Sequence, residues 1–119
     1  MKHPLNPNHK VLISTLKTNV EAFYGELPVA ASARALLITE TAHADVIYLP
    51  IADIQMNLFE ATDHQTHCPY KGDACYWSLK LAGETVENVM WSYPEPLANV
   101  SQLKGYAAFY SDKISVHIV

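Results

Sequence analysis

Residues 74–82, ACYWSLKLA, alternate with a period of two, and after Gly83 a second run, TVENVMWSY (85–93), ends at Pro94. Alternation sets Cys75, Trp77, Leu79 and Leu81 on one face of a strand and Tyr76, Ser78 and Lys80 on the other. A glycine turn between two such runs predicts a hairpin, and the proline closes it because it has no amide for a ladder. The rest of the chain follows the same grammar. VLISTL (11–16) and VEAFY (20–24) are rich in β-branched and aromatic residues and read as an opening hairpin or meander. VAASARALLITE (29–40) divides near Ser32 into two short strands, and ADVIYLP (44–50) is a strand that stops at Pro50. YAAFY (106–110) and ISVHIV (114–119) predict a closing hairpin around SDK. In IADIQMNLFEA, Asp53 stands as an N-cap for one or two helical turns. TDHQTHCPYKGD (62–73) has few apolar residues and reads as a loop of a length that is usually functional or mobile. Seven or eight short strands with so little helix predict a mainly β, compact, antiparallel, barrel-like fold.

Only one domain fits in 119 residues, here 1–119 with residues 1–10 as a polar N-terminal arm. Half the residues are apolar and 17% are charged, which excludes a disordered chain. The net charge is −4 and the basic residues are scattered, so no stripe is available to track phosphates and nucleic acid is not an expected partner. The start MKHPLNPNHK has no apolar signal-peptide core, and no run reaches the ~18 apolar residues of a membrane span. A cytoplasmic protein without membrane contact is expected, with Cys68 and Cys75 reduced.

Within THCPYKGDACYW (66–77), Pro69 holds Cys68 extended, Gly72 permits a sharp turn, and Lys71 brings a cation near the thiol. A loop-borne, cationic setting suits a reactive cysteine, so Cys68 and Lys71 are candidate catalytic residues, with His64 or His67 as a base. The favoured alternative is that Cys68 is a small side chain packed under the loop, since free cysteine is among the most buried residue types. Cys75, on the face of Leu79 and Leu81, is structural. His64, His67, Cys68 and Cys75 are zinc ligand types, but their order, H-x2-H-C-x6-C, lacks a C-x2-C pair, and no metal is expected. His3, His9, His43 and His117 share no ligand spacing and read as ordinary surface or partly packed residues. Neither G-x4-G-K-[ST] nor G-x-G-x-x-G occurs, so no cofactor is expected by those routes. Tyr76, Trp77, Trp91 and Tyr93 lie on adjacent strands and can build an aromatic wall beside Lys71 and the carboxylate of Pro94-Glu95-Pro96. Such a combination describes a pocket mouth.

VAASARALLITE, VIYLPIADI, THCPYKGDACYW, MWSYPEP and KGYAAFY, in that order, resemble the bacterial domain-of-unknown-function family 427, over roughly residue 29 to the end. The family pattern falls on Ser32, Glu40, Tyr48, Pro50, Asp53, Thr66, Cys68, Lys71, Gly72, Tyr76, Trp91, Tyr93 and Phe109. What the resemblance implies is a fold similar to the Mss-four-like or β-tent group and the label nucleotidyltransferase-like, without an established substrate. Zinc-binding relatives of that fold use paired C-x2-C motifs, which this chain lacks, so loss of the metal is implied. No acidic pair suited to Mg²⁺ follows a Gly-Ser turn, as nucleotidyl transfer needs.

The expected function is a pocket for a small polar or anionic ligand, with Lys71 pairing charge, Tyr48, Tyr76, Trp91 and Tyr93 in the wall, and Glu40 or Asp53 accepting hydrogen bonds. Lys71→Ala and Trp91→Ala are expected to leave the fold intact. The alternatives are a Cys68-based or nucleotidyltransferase-like enzyme, and a non-catalytic module that binds a protein through exposed aromatics.

Overall fold

The computed structural model describes residues 8–119; residues 1–7 of the polar arm, His3 among them, lie outside the described residues. Ten strands follow one another: β1 Val11–Thr15, β2 Val20–Tyr24, β3 Leu27–Ser32, β4 Leu36–Glu40, β5 Val46–Pro50, β6 Phe59–Cys68, β7 Gly72–Leu81, β8 Glu84–Ser92, β9 Tyr106–Phe109 and β10 Ser115–Ile118. Short 3-10 turns occupy Ile51–Asp53, Met56–Leu58 and Ala98–Leu103. Seven strands form one sheet in the order β1-β4-β5-β9-β8-β7-β6, and β10-β2-β3 form a second. Every pairing is antiparallel. The expected antiparallel β fold is therefore found, but the large sheet ends at β1 and β6 among the described residues and is not a closed barrel. No helix of the described residues is long and apolar enough to cross a membrane.

The large sheet is covered on both faces. On one, Leu49, Leu79, Met90 and Phe109 pack with Val20, Ala22 and Val29 from the small sheet. On the other, Ile38, Tyr48, Tyr76, Tyr93 and Ala108 pack with Val100 and Leu103 of the last 3-10 turn. Hence Tyr76 and Ser78, on the face of β7 opposite Leu79, are buried too. Cys75 is half-buried opposite Ser92, beside Gln65, Asp73 and Glu95.

The β7–β8 hairpin forms as its alternation predicts, pairing Tyr76 with Trp91 and Trp77 with Met90. Three expectations are corrected. β1 and β2 do not pair: β1 joins β4, while β2 crosses to β3 and β10 in the other sheet. Likewise β9 lies between β5 and β8, and β10 pairs β2, so the chain end is no hairpin. Residues 62–73 are mostly strand, because β6 is an edge strand that β7 templates while its polar side chains face water. Asp53 also departs from its assigned place. It closes a 3-10 turn instead of capping a helix, and its carboxylate accepts from the buried Ser32 hydroxyl at 2.6 Å and from Arg34 at 3.3 Å.

Candidate functional site

Five adjacent strands of the large sheet end around one cleft of about 420 Å³. β4 brings Ile38 and Glu40, β5 Val46 and Tyr48, β7 Tyr76 and β8 Trp91; Tyr93 and Tyr110 follow β8 and β9 directly, and Cys68 and Lys71 come from the β6–β7 turn. Cross-strand register brings them together. Leu36 opposes Tyr48, Tyr76 opposes Trp91 and Trp91 opposes Ala108, so one face of five strands points the same way.

Lys71 is held from its backbone. Its amide donates to the Cys68 carbonyl at 3.3 Å, closing the turn, and its own carbonyl accepts from the Leu97 amide at 2.9 Å. Gly72 has φ +118°, and a Cβ there would stand 3.3 Å from the Glu95 carbonyl oxygen, so glycine is needed for both conformation and space. The Pro94-Glu95-Pro96 segment thus braces the turn from outside, and the Glu95 side chain is not among the residues lining the cleft.

Lys71 is 7% exposed, and its ammonium is ion-paired to Glu40. The other Glu40 oxygen lies 2.8 Å from His9 Nε2 and 3.9 Å from His43 Nδ1. His9 stacks on Tyr70 at 3.7 Å, so a residue of the polar arm backs Glu40 from behind the cleft without lining it. Burial pushes the Glu40 carboxyl up, but hydrogen bonds from Lys71 and His9 outweigh it and hold the group below its ordinary value. Lys71 Nζ also stands 4.0 Å from Cys68 Sγ.

Above this pair the wall is phenolic and indolic. The Trp91 indole donates to Tyr48 Oη at 3.2 Å, and the Tyr110 ring lies 4.7 Å from Trp91 and stacks over Tyr76 at 6.5 Å. Burial raises the Tyr48 and Tyr93 phenols well above their usual range and pushes Tyr110 up to about 12, helped by the Tyr76 hydroxyl. At neutral pH these groups are protonated hydrogen-bonding partners.

Glu40, Tyr48, Cys68, Lys71, Tyr76, Trp91 and Tyr93, singled out from sequence, thus all line one cleft; Asp53 does not, being engaged by Ser32 and Arg34. His67 is paired with Asp73 at 2.6 Å on the surface and His64 packs against the Tyr76 ring, so the residues of H-x2-H-C-x6-C turn to different partners. Among the described residues no group of three or more His, Cys, Asp or Glu is placed to hold a metal. Burial raises the Cys75 thiol, but the core-facing place expected for it with Leu79 and Leu81 is corrected: Cys75 belongs to neither core and lies half-buried in a groove with Gln65, Asp73 and Glu95. His9, His43 and Tyr110 were missed. The phase of Tyr106, Ala108 and Tyr110 along YAAFY could have indicated the last; nothing in the sequence ties His9 to Glu40, thirty-one residues away.

The model of a family described as "Domain of unknown function (DUF427)" matches residues 12–119. The match therefore begins well before residue 29 and takes in β2 and all but the first residue of β1. No curated protein matches the chain.

Proposed function

The chain belongs to domain-of-unknown-function family 427, and from that premise and the geometry of its cleft we propose that it binds a small polar aromatic molecule. The observation that carries this reading is the juxtaposition of a buried Lys71–Glu40 pair with Tyr48, Tyr76, Trp91, Tyr93 and Tyr110 in a single cleft. A buried ion pair is a poor source of net stability, since desolvation offsets most of its attraction. Placed in an aromatic cleft of ligand size, it supports recognition of a polar edge, with ring faces gripping the plane of the ligand. Between polar and anionic ligands the geometry favours the polar one, because Glu40 already neutralises Lys71.

The test uses Trp91 as reporter. Trp77 packs against the opposite core, so a Trp77→Phe background leaves Trp91 as the single tryptophan. Titration with a panel of planar polar aromatics is expected to change its emission. Tyr110→Ala, at an exposed position, is expected to weaken binding about fivefold or more, as loss of an aromatic pair does, with far-UV dichroism unchanged. No response across the panel, or an unaltered affinity in Tyr110→Ala, overturns the reading.

A second reading has its own observation: Cys68 Sγ faces the cleft with Lys71 Nζ 4.0 Å away. Both cysteines are free, as a reducing cytoplasmic setting would keep them. If Cys68 is a nucleophile, alkylation followed by mass spectrometry will label it below pH 7 ahead of Cys75; equal, slow labelling of both removes the idea. Nucleotidyl transfer has less support, because Glu40 is the one carboxylate among the cleft residues and it is engaged by Lys71 and His9.

A further inference from the structure

The β5–β9 ladder contains only Leu49–Ala107 and Pro50–Tyr106. Beyond it Ile47 and Tyr48 stay with β4, while Ala108 and Phe109 stay with β8, so the two strands diverge and leave an opening in the large sheet. On one side of the opening lies the cleft described above. A second cavity of about 550 Å³ adjoins it, and the two share Ala44, Val46, Trp91 and Tyr110. The Tyr110 backbone is fixed there: its amide donates to Val89, and its carbonyl accepts from Lys113 and Ile114, each at 3.0 Å. Its ring therefore stands on the boundary between two lobes of one groove.

The lobes differ in chemistry. Ion-paired Lys71 and the tyrosine hydroxyls make the first lobe polar and aromatic. The second is lined by Ile47, Phe109 and Val116 with Asp45, Ser111 and Ser115, and no Lys, Arg or His is among its lining residues. Asp45 and Ser111 are exposed at its rim. A carboxylate with two hydroxyls, next to the faces of Trp91 and Tyr110, suits a neutral hydroxylated ring: ring C–H groups lie on the aromatic faces and the hydroxyls donate to Asp45. A phosphate would meet the Asp45 charge without a cation to offset it.

We infer that the groove takes a glycosylated aromatic, a nucleoside or an aryl glycoside, with the aromatic ring in the first lobe and an uncharged sugar in the second. This rests on the first lobe being a polar-aromatic site.

The test measures matched pairs by Trp91 emission in the Trp77→Phe background: adenine against adenosine and adenosine 5′-monophosphate, and phenol against phenyl β-glucoside. In at least one pair the glycosylated member is expected to bind about tenfold tighter, the effect of one or two added hydrogen bonds. Asp45→Ala is expected to remove that advantage while leaving adenine or phenol affinity unchanged, and the monophosphate is expected to bind no tighter than adenosine. The pair that responds distinguishes nucleoside from aryl glycoside. Equal affinity within both pairs, or tighter binding of the monophosphate, overturns the two-lobed assignment and leaves the first-lobe reading standing. If no member of either pair binds, the first-lobe reading fails and this one with it.

Discussion

Lys71 and Glu40 show how a single buried pair constrains both stability and site. Each side chain is less than a tenth exposed, so removing Glu40 leaves Lys71 charged without its carboxylate, and removing Lys71 leaves one oxygen of a buried Glu40 without its donor while His9 still holds the other. Lys71→Ala should therefore lose about 3–5 kcal/mol of unfolding free energy, measured by urea denaturation. That is within the ~5–15 kcal/mol of a typical domain, so the variant still folds, but less firmly than the turn position of Lys71 in sequence suggests. Removing Glu40 as well should restore much of the loss; a double variant as weak as the sum of the singles would mean that the pair is not coupled. Acid provides an independent check. Glu40 has a folded value below its ordinary 4.5, so its charged form stabilises the fold above that pH, and the contribution is lost as pH falls through the folded value. The melting-temperature gap between the wild type and Glu40→Gln should be full near neutrality and should shrink below about pH 4.5. A constant gap down to pH 3 would show that the carboxylate charge contributes nothing.

At the level of elements, the strands were legible and their partners were not. The β7–β8 hairpin could be read because both strands alternate and are joined by a glycine turn, so local and tertiary signals agree. β6 could not, since FEATDHQTHC has no apolar period; it is a strand because β7 supplies the ladder, and its side chains are mostly exposed. β1 and β2, like β9 and β10, are sequence neighbours that enter different sheets, a choice made by which core each buries against. The candidate site followed the same rule. Cys68, Lys71, Tyr76, Trp91 and Tyr93 come from one turn and one hairpin with the residue just beyond it, whereas Tyr110 and His9 arrive through the crossing of β9 and the fold-back of the arm. Asp53 was misread because a carboxylate that ties two segments has the same sequence appearance as a helix cap. Its bond to the buried Ser32 hydroxyl joins the end of β3 to the first 3-10 turn, so Asp53→Ala should cost about 1–3 kcal/mol by leaving the hydroxyl proton without an acceptor, although the oxygen still accepts from the Arg34 amide. Ligand affinity at the cleft should not change. A loss of binding without a loss of stability would return Asp53 to the site.

For the whole molecule, the decisive property is that the middle of the seven-stranded sheet is buried on both faces, so the Tyr48 and Tyr93 phenols of its second face are kept from water by distant parts of the chain, while Tyr110 stands at the rim. Tyr48 from β5, Tyr93 after β8 and Tyr110 after β9 all have raised pKa values, with burial the principal cause in each. Their neutral forms are favoured by folding. The sign follows: that stabilisation is fully present below the ordinary value of 10.0 and is lost as pH climbs through the folded values, which begin at about 12 with Tyr110. Tyr24 is raised for a different reason, its hydrogen bond to Glu84, and Tyr24→Phe removes it from the measurement. In that background a tyrosinate absorbance titration should leave at least Tyr48 and Tyr93 un-ionised at pH 11, and these two should ionise only as far-UV dichroism reports unfolding. The denaturation midpoint in urea should fall steadily between pH 10 and 12 over the same interval. Ionisation of every tyrosine near pH 10 with the dichroism intact would show that water reaches these hydroxyls in the folded state. In that case the second face is an open surface, and the cleft loses the sheltered phenols on which its selectivity for polar aromatic ligands depends.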